Sequence, residues 1–371
     1  MKQDVASTNP LLKAKELGQS IWLDYIRRGM IEDGALARLI EEDGLGGITS
    51  NPVIFEKAIS HSEDYQSAID ELRSQSADVA ALYDALVLKD IADAADLFRP
   101  AFDKSNGWEG YVSHEVSPLL ALETEGTVEE ARRLWARLDR PNVFIKVPGT
   151  QPGLKAIEML TAEGINVNVT LLFSVERYEA VADAYMSGLE QRFDKGKPVS
   201  GIASVASFFL SRIDAMVDPQ LDEIGSDEAK ALKGKTAESL AKLAYQSYRR
   251  MIESDRWQRL AKEGAAPQRL LWASTQPKDP AYPDTKYVDP LIGPDTVSTL
   301  PVETLDAYRD HGDPATRLED DLDAARALPD KLKQLGIDID EVSAKLEEEG
   351  IDKFVKPFDA LMQALEAKLK G

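Results

Sequence analysis

One lysine has the sequence context of a covalent nucleophile. Lys146 follows Phe144 by two residues in a short apolar segment, and a Pro148-Gly149 turn comes directly after it. In a strand, alternate residues share a face, so Lys146 and Phe144 point to the same side. A lysine buried there loses hydration, which disfavours its charged form, and the neutral amine is the form that attacks a ketone. A structural salt bridge is the alternative for such a lysine taken alone.

Polar residues alternate along a second apolar segment. Asn166, Asn168 and Thr170 share one face of the segment from Ile165 to Leu171. A polar stripe on a buried strand is unfavourable unless each group finds a hydrogen-bond partner. The hydroxyl groups of a sugar would supply such partners.

A third segment ends in the polar residues Thr49, Ser50 and Asn51, directly before Pro52. This position matches the carboxyl end of a strand, where the catalytic residues of parallel barrels lie. Proline fits the first turn of a helix, so helix capping is the alternative function of this polar group.

Two carboxylates lie at the ends of other apolar segments. Asp24 follows Trp22 and Leu23, and Glu115 lies inside the segment from Gly110 to Val116. Carboxylates at the ends of different strands suit proton transfer around a reacting centre. Each could equally pair with a lysine or an arginine.

Three residues farther along the chain predict a pocket for an anion. Arg212 lies in a short apolar helical segment close after a strand, and a guanidinium matches the geometry of a phosphate group. Ser274 ends a later strand and Lys278 follows it, so both could complete the pocket.

The scaffold for these residues is predicted from the alternation of short β-branched segments with longer amphipathic ones. This pattern indicates βαβ units and a parallel sheet, and eight strands favour a closed (β/α)8 barrel, a TIM barrel, over an open sheet. The predicted strands are Ser20–Asp24, Gly46–Ser50, Gly110–Val116, Val143–Val147, Ile165–Thr170, Ser200–Ser204, Leu270–Ser274 and Asp295–Leu300. The predicted helices are Ile31–Glu42, Ser62–Ser74, Ala77–Leu97, Val128–Leu138, Gly153–Glu163, Val175–Gln191 and Thr236–Ser254.

The remaining segments are expected to extend a single barrel domain that comprises residues 1–371. Pro277 to Pro294 are predicted to form a long loop after the seventh strand. Residues 318–371 are acidic and helical, with Asp338 and Asp340 as helix-start residues after Gly336. We expect these C-terminal helices to cover the barrel; a role in oligomerisation is the alternative.

The composition excludes several functions. A net charge of −21 argues against binding to nucleic acids or anionic membranes, so a phosphorylated metabolite would need a local cationic pocket. The chain has no cysteine, and His61, His114 and His311 lack the spacing of metal ligands, which predicts no metal site. Met1 to Gln19 lack the apolar core of a signal peptide, and no apolar segment is long enough to span a membrane, which predicts a cytoplasmic protein.

Several motifs together resemble the transaldolase family. They are Gly47-Ile-Thr-Ser-Asn-Pro52, Val112-Ser-His-Glu-Val-Ser-Pro118, Phe144-Ile-Lys-Val-Pro148, Asn168-Val-Thr-Leu-Leu-Phe-Ser174 and Leu271-Trp-Ala-Ser-Thr275. The resemblance runs from about Leu23 to Gly312, and Lys286-Tyr-Val-Asp-Pro-Leu-Ile-Gly293 resembles the longer bacterial branch. It implies transfer of a dihydroxyacetone unit from a ketose phosphate (sedoheptulose 7-phosphate or fructose 6-phosphate) to an aldose phosphate (glyceraldehyde 3-phosphate or erythrose 4-phosphate).

The resemblance also implies a role for each site residue. Lys146 matches the Schiff-base lysine, and Asp24 matches the acid that takes the proton from the C4 hydroxyl of the substrate. Glu115 and Thr170 match the pair that holds the catalytic water. The matching positions around the bound dihydroxyacetone unit are Thr49, Asn51, Asn168 and Ser207. The matching phosphate-binding positions are Arg212 and Ser274. No metal or organic cofactor is implied, because the lysine supplies the electron sink.

Three features distinguish between branches of the family. Glu115, Phe209 and the chain length favour transfer over simple aldol cleavage, because the shorter related fructose 6-phosphate aldolases carry glutamine and tyrosine at these two positions. Gln276 departs from better-known members, which carry a second phosphate-binding arginine there; Lys278 is the candidate replacement. A Schiff-base aldolase and a non-catalytic sugar-phosphate-binding barrel stay as alternatives, and the sequence leaves open a monomer or a homodimer.

Overall fold

Eight parallel strands close into a barrel in which each strand pairs with the next in sequence and the last pairs with the first. The computed structural model describes residues 9–74 and 78–370. The strands are β1 (Gln19–Leu23), β2 (Gly47–Ile48), β3 (Tyr111–Glu115), β4 (Val143–Pro148), β5 (Val167–Leu172), β6 (Ser204–Phe209), β7 (Arg269–Ala273) and β8 (Thr296–Leu300). The predicted (β/α)8 barrel is confirmed.

Helices follow the strands and continue beyond the barrel. Within the described ranges they are α1 (Pro10–Glu16), α2 (Arg28–Glu32), α3 (Ala35–Glu42), α4 (Pro52–Ser60), α5 (Gln66–Ser74), α6 (Val79–Lys104), α7 (Thr124–Leu138), α8 (Gln151–Glu163), α9 (Val175–Asp194), α10 (Ser211–Ile224), α11 (Asp227–Leu232), α12 (Thr236–Glu253), α13 (Asp255–Lys262), α14 (Val302–His311), α15 (Leu322–Gln334) and α16 (Ile339–Lys370). Short 3-10 helices at Pro118–Leu120 and Asp289–Leu291 lie in the loops after β3 and before β8.

Aromatic rings from three strands fill the lower part of the barrel. The rings of Tyr111 and Phe144 stack with centroids 4.3 Å apart, and the indole of Trp22 lies 6.3 and 6.0 Å from them. Gly47 makes room for this cluster, since a Cβ there would lie 2.7 Å from the indole of Trp22. Because residues two apart in a strand share a face, Lys146 lies one layer above Phe144, toward the carboxyl ends of the strands.

The sixth strand lies farther along the chain than predicted. The prediction was Ser200–Ser204, but β6 spans Ser204–Phe209, and a turn containing Gly201 at φ +79° precedes it. Phe208 and Phe209, which the prediction placed beyond the strand, are buried in it. A strand covered on both faces accepts an apolar run that resembles a buried helix, so periodicity alone does not separate the two.

Two predicted helices differ most from the structure in their boundaries. The segment Ile31–Glu42 contains the end of α2 and the whole of α3 rather than one helix, because Gly34 adopts a left-handed conformation with φ +77° between them. The helix predicted as Ala77–Leu97 continues to Lys104, and its predicted first residue lies outside the described residues.

The last helix crosses the carboxyl-end face of the barrel. It contacts α4, α6, α10, β5 and the 3-10 helix after β3. Asp338 accepts a hydrogen bond from the backbone N–H of Asp340 at 2.9 Å, directly at the predicted helix start. Gly350 permits a close approach to the end of β5, since a Cβ there would lie 2.9 Å from Leu171. The helix therefore lies over the face where barrel enzymes carry their active sites.

One histidine is buried on the outer side of β3. The ring of His114 meets that of Phe55 in α4 edge to face, with centroids 6.3 Å apart. Its Nδ1 atom has no hydrogen-bond partner among the described residues. Burial lowers the pKa of His114 to about 4, so the ring is neutral in the folded protein at neutral pH.

We expect His114 to make the folded protein less stable as the pH falls from about 6.5 to about 4, because the unfolded chain takes up a proton that the folded chain does not. The free energy of unfolding should fall by at most about 3 kcal/mol by the time the pH reaches the pKa of the buried ring. Urea unfolding at several pH values measures the free energy of unfolding of the wild type and of His114→Leu. The difference between the two free energies should shrink or change sign as the pH falls.

The exposed His311 serves as a control of opposite sign. Hydrogen bonds to Asp284 and Asp310 raise its pKa, so this histidine stabilises the fold increasingly as the pH falls. Replacing His311 with glutamine should therefore remove stability at low pH. An equal pH dependence for His114→Leu and the wild type would contradict the assignment of a neutral buried ring.

Candidate active site

A cavity of about 1020 Å³ opens at the carboxyl ends of the strands. Nine of the twelve residues proposed from the sequence line it: Asp24, Thr49, Asn51, Lys146, Ser207, Phe209, Arg212, Ser274 and Lys278. The other three, Glu115, Asn168 and Thr170, are buried in the strands beside these residues. The barrel therefore brings together residues that are up to about 250 positions apart in sequence.

Lys146 reaches the floor of this cavity from β4. Its side chain is only 5% exposed, and Nζ donates a hydrogen bond to the backbone carbonyl of Ser50 at 2.9 Å. Nζ also lies 3.5 Å from Oε2 of Glu115, the residue paired with Lys146 in the neighbouring strand. These contacts hold the amine at one position, facing the cavity and screened from bulk water.

Glu115 supplies a buried carboxyl group next to that amine. Burial raises the pKa of Glu115, and the charge and hydrogen bond of Lys146 oppose this shift. A carboxyl whose pKa is raised can both donate and accept protons closer to neutral pH than an exposed glutamate can. The pair is therefore suited to moving protons at the lysine nitrogen.

Asp24 lies at the end of β1, on the opposite side of the cavity floor from β5. Thr49 donates a hydrogen bond to its carboxylate at 2.6 Å, and the Thr299 hydroxyl lies 2.7 Å from that of Thr49. Burial raises the pKa of Asp24, while the Thr49 hydrogen bond and the positive charges of Lys146 and Arg212 counteract the rise. Thr49 thus fixes the carboxylate and leaves its second oxygen available to the cavity.

A chain of hydrogen bonds crosses the barrel interior behind the cavity wall. The Ser207 hydroxyl donates to Oδ1 of Asn168 at 2.7 Å, and Nδ2 of Asn168 donates to the Ser113 hydroxyl at 3.0 Å. Ser207 lines the cavity, whereas Asn168 lies behind it. In this arrangement the protein itself satisfies the amide of Asn168, the middle residue of the polar stripe, and Asn168 orients Ser207.

The end of β5 carries a local distortion next to the lysine. The register between β5 and β6 shifts between Val169 and Leu172, and Leu171 has φ +65°, which is unfavourable for a leucine. The Thr170 hydroxyl, directly before it, is buried without a hydrogen-bond partner among the described residues. Such bulges often redirect a side chain near an active site. A bound water would satisfy this hydroxyl.

An arginine without a full set of partners marks the other end of the cavity. The guanidinium of Arg212 lies 5.3 Å from the ring of Phe209 and 5.7 Å from the ring of Phe354, so it packs between β6 and α16. Its Nη1 atom is buried without a partner among the described residues. Burial lowers the pKa values of both Arg212 and Lys278. Arg212 is half-buried and Lys278 lies at the exposed mouth of the cavity, and an anion between them would stabilise both partly desolvated charges.

Ser274 is held in a strained turn beside this cation pair. It has φ +54°, and its hydroxyl lies 2.9 Å from that of Ser211 at the start of α10. Its carbonyl accepts the backbone N–H of Ser211. Gln276, the position that departs from the family pattern, also lines the cavity. Asn51 both lines the cavity and caps α4, since it accepts the N–H of Ile54 at 3.1 Å, so the capping function foreseen for this segment is present.

Several residues that line the cavity were not predicted from the sequence, and most of them lie in helices and loops rather than in the barrel strands. The missed lining residues that carry a charge, a hydroxyl group or an aromatic ring are Tyr25, Lys57, Thr299, Glu303, Lys345, Glu349, Lys353 and Phe354. Lys345, Glu349 and Lys353 are spaced four residues apart and therefore share one face of α16. The sequence alone shows that these three residues share a helix face. It does not show that this face lies over the cavity.

The whole architecture matches one protein family. The sequence profile of the transaldolase/fructose-6-phosphate aldolase family matches residues 21–365. The chain belongs to this family. Transaldolase 2 of Nostoc punctiforme is 49% identical to it, with 98% of each sequence covered. The transaldolase of Thiobacillus denitrificans is 50% identical over 93% of the chain and 96% of its own length. The transaldolase of Thermobifida fusca is 46% identical over 97% of the chain and 98% of its own length.

Family membership agrees with the observed barrel and makes the chain an enzyme of the transferase class. The curated relatives match over nearly their full length, so they contain counterparts of α15 and α16 as well as of the barrel. Among the helices of residues 9–74 and 78–370, none is long and apolar enough to cross a membrane. Within the same ranges, no group of three or more histidine or acidic residues has the geometry of a metal site.

Proposed function

We propose that Lys146 carries the substrate as a Schiff base while Asp24 and Glu115 move the protons of the reaction. The chain catalyses the transaldolase reaction of the pentose phosphate pathway, as its family and its full-length relatives indicate. The observation that carries the proposed residue roles is the buried Nζ of Lys146, 3.5 Å from Glu115 and facing a cavity that Asp24 also lines.

The first step forms the covalent bond. The neutral amine of Lys146 attacks the C2 carbonyl of a ketose phosphate, sedoheptulose 7-phosphate or fructose 6-phosphate, and the carbonyl oxygen leaves as water. Glu115, acting through a water held at Thr170, relays two protons from the lysine nitrogen to the departing oxygen: the one that the ammonium form gives up before the attack, and one that the nitrogen gives up after it. The iminium nitrogen keeps the third. The unpartnered hydroxyl of Thr170 and the raised pKa of Glu115 support this assignment.

The second step breaks the carbon–carbon bond. Asp24 accepts the proton of the C4 hydroxyl, the C3–C4 bond breaks, and its electron pair enters the iminium to give an enamine on Lys146. The aldose phosphate leaves, and an acceptor such as glyceraldehyde 3-phosphate or erythrose 4-phosphate enters. The bond then forms in the reverse direction, and water releases the new ketose phosphate. The iminium on Lys146 accepts the electron pair of the broken C3–C4 bond, so the proposed reaction requires no metal or organic cofactor.

The substrate groups are assigned to residues along the cavity. The hydroxyls of the dihydroxyacetone unit are placed beside Thr49, Asn51 and Ser207, with Asn168 holding Ser207. The phosphate is placed at Arg212, Ser274 and Lys278, with Phe209 packed against the guanidinium. Lys278 lies close enough to Arg212 for the two charges to interact, which supports it as the replacement for the arginine that is absent at Gln276.

The fate of the three-carbon enamine separates two related activities. A transferase passes it to an acceptor aldehyde, whereas an aldolase protonates and releases it as free dihydroxyacetone. Glu115 and Phe209 favour transfer, because aldolases of this family carry glutamine and tyrosine there. Turnover of fructose 6-phosphate should therefore depend on added erythrose 4-phosphate. Equal turnover without an acceptor would assign the chain to the aldolases.

We expect borohydride to trap the enzyme in the presence of fructose 6-phosphate. The reagent reduces the iminium, and peptide mass mapping should find a dihydroxyacetone-derived adduct on Lys146. The control is the same mixture without the sugar phosphate. An adduct on another lysine would assign the role of nucleophile to that residue. A folded protein that is never labelled would favour a non-catalytic sugar-phosphate-binding barrel.

Three further properties belong to the proposal. We propose one catalytic domain, residues 1–371, in which residues 318–371 form covering helices; the position of α16 over the cavity supports this. We propose a cytoplasmic location. We propose a monomer or a homodimer, and size-exclusion chromatography with light scattering distinguishes the two.

A further inference from the structure

The last helix brings its own charges to the substrate cavity. Lys345, Glu349 and Lys353 follow one another along a single face of α16, and all three line the cavity. Lys57 of α4 lies on the same wall. These residues lie outside the segments that supply the proposed phosphate ligands, so the helix adds a second set of charged groups to that end of the cavity.

The charges around the cavity differ from those of the whole protein. Besides the proposed nucleophile Lys146, the lining contains five basic residues, Lys57, Arg212, Lys278, Lys345 and Lys353. Besides the base Asp24, it contains only the carboxylates Glu303 and Glu349. The lining as a whole is thus positive, although the chain carries a net charge of −21. A positive concave surface in an acidic protein concentrates anions at one place.

Glu349 is the carboxylate that lies between Lys345 and Lys353 on this face of α16. Its Oε2 lies 3.0 Å from Nζ of Lys353, one turn farther along α16. Its negative charge also acts on Arg212, whose Nη1 atom lacks a hydrogen-bond partner among the described residues. The carboxylate therefore occupies a place among cations where a substrate phosphate would compete with it.

Phe354 fixes the height of this helix above the reacting groups. Its ring is buried, packs against the guanidinium of Arg212, and lies 5.9 Å from Nζ of Lys146. One aromatic side chain of α16 thus lies near both the proposed nucleophile and the proposed phosphate ligand. Lys353, the preceding residue in α16, lies at the mouth of the cavity, with its side chain 53% exposed.

We propose that Glu349 and Lys353 form a charge gate for the phosphate monoester of the substrate. In the empty enzyme Glu349 neutralises Lys353 and the cations beside it. An incoming phosphate dianion takes over Lys353 as a ligand and joins it to Arg212 and Lys278, while Glu349 turns toward solvent. This proposal rests on the proposed function, which identifies the substrate as a sugar phosphate. It makes α16 a determinant of phosphate recognition.

The direct test replaces each member of the gate. Lys353→Ala should raise the KM for fructose 6-phosphate about tenfold and leave kcat nearly unchanged. Tenfold is at the lower end of the effects of losing a hydrogen bond to a charged group, because Lys353 is half-exposed. Glu349→Gln removes the competing charge and should lower the same KM about twofold to threefold. The matched control is Lys356→Ala, because Lys356 lies on α16 with a side chain 79% exposed and paired to Asp352.

Two probes separate this proposal from the Schiff-base proposal. Inorganic phosphate should inhibit the Lys353→Ala variant about tenfold more weakly than the wild type, and titration calorimetry should show the same loss of phosphate affinity. Dihydroxyacetone, which has no phosphate, should label Lys146 equally in both proteins under borohydride. Equal phosphate affinities in the Lys353→Ala and Lys356→Ala variants, or a higher KM in Glu349→Gln, would overturn the gate. Failure of the wild type to be labelled would overturn the Schiff base alone.

Discussion

Replacing Lys146 with alanine is expected to abolish turnover while the barrel stays folded. The side chain is the only lysine amine buried at the cavity floor among the described residues, where Nζ faces the cavity between Ser50 and Glu115. Without the amine there is no iminium to accept the electrons of the broken carbon–carbon bond. We expect the rate to fall by roughly four orders of magnitude or more, as for other enzymes that lose their nucleophile.

The same replacement removes the partner of a buried carboxylate. Breaking a buried ion pair costs about 3–5 kcal/mol, although protonation of Glu115 would relieve part of this loss. Lys146→Met is therefore a useful second variant, because it fills most of the volume without supplying an amine. Both proteins should retain the circular dichroism spectrum of the wild type.

The control for these variants is Lys155→Ala, on α8. Lys155 has a side chain 58% exposed and pairs with Glu158 on the surface. Its replacement should leave both activity and trapping by borohydride intact. A folded Lys146→Met variant that keeps more than a few per cent of wild-type turnover would refute the Schiff-base assignment.

The strand positions carry most of what the sequence could predict about this site. Lys146, Asp24 and Thr49 lie at strand ends, and a closed parallel barrel places all strand ends around one opening, so the fold alone brings them together. Their local pattern of polar residues among apolar ones was sufficient to find them. The aromatic layer below, with Phe144 under Lys146, needed only the two-residue repeat of a strand.

The contribution of α16 could not be predicted in the same way. Phe354 and Lys353 lie in an amphipathic helix about two hundred residues after Lys146, and their spacing is equally compatible with packing on any part of the barrel surface. The close approach at Gly350 and the packing of Phe354 on Arg212 select the face over the cavity. This is a tertiary contact, and no local pattern encodes its partner.

Hydrogen bonds between strands explain the positions of residues that the sequence placed in direct contact with the substrate. Asn168 shares a face with Thr170 in β5, as predicted, but its amide bonds to Ser113 and Ser207 instead of lining the cavity. The shift of β6 to Ser204–Phe209 puts Ser207 in that strand, next to β5. The pairing of strands, rather than the composition of either one, determines which polar group reaches the cavity.

Lys146 and Asp24 are proposed to act in different steps, so the second large effect, the loss of kcat on replacing Asp24, can be tested separately. Asp24→Asn should keep the shape of the side chain and its hydrogen bond with Thr49, but an amide cannot accept the proton of the C4 hydroxyl. The iminium should still form on Lys146, because its formation does not need this carboxylate. We expect kcat to fall by about 10²–10⁴, the usual contribution of a general base.

Trapping distinguishes this variant from a merely damaged enzyme. With fructose 6-phosphate and borohydride, the wild type should yield the three-carbon adduct on Lys146, whereas Asp24→Asn should yield the intact six-carbon sugar phosphate, because the C3–C4 bond no longer breaks. The control is Asp96→Asn, since Asp96 lies on α6 and pairs with Arg140 on the surface. A three-carbon adduct in Asp24→Asn at the wild-type rate would assign the base to another residue, and Glu115 would then be the next carboxylate to replace.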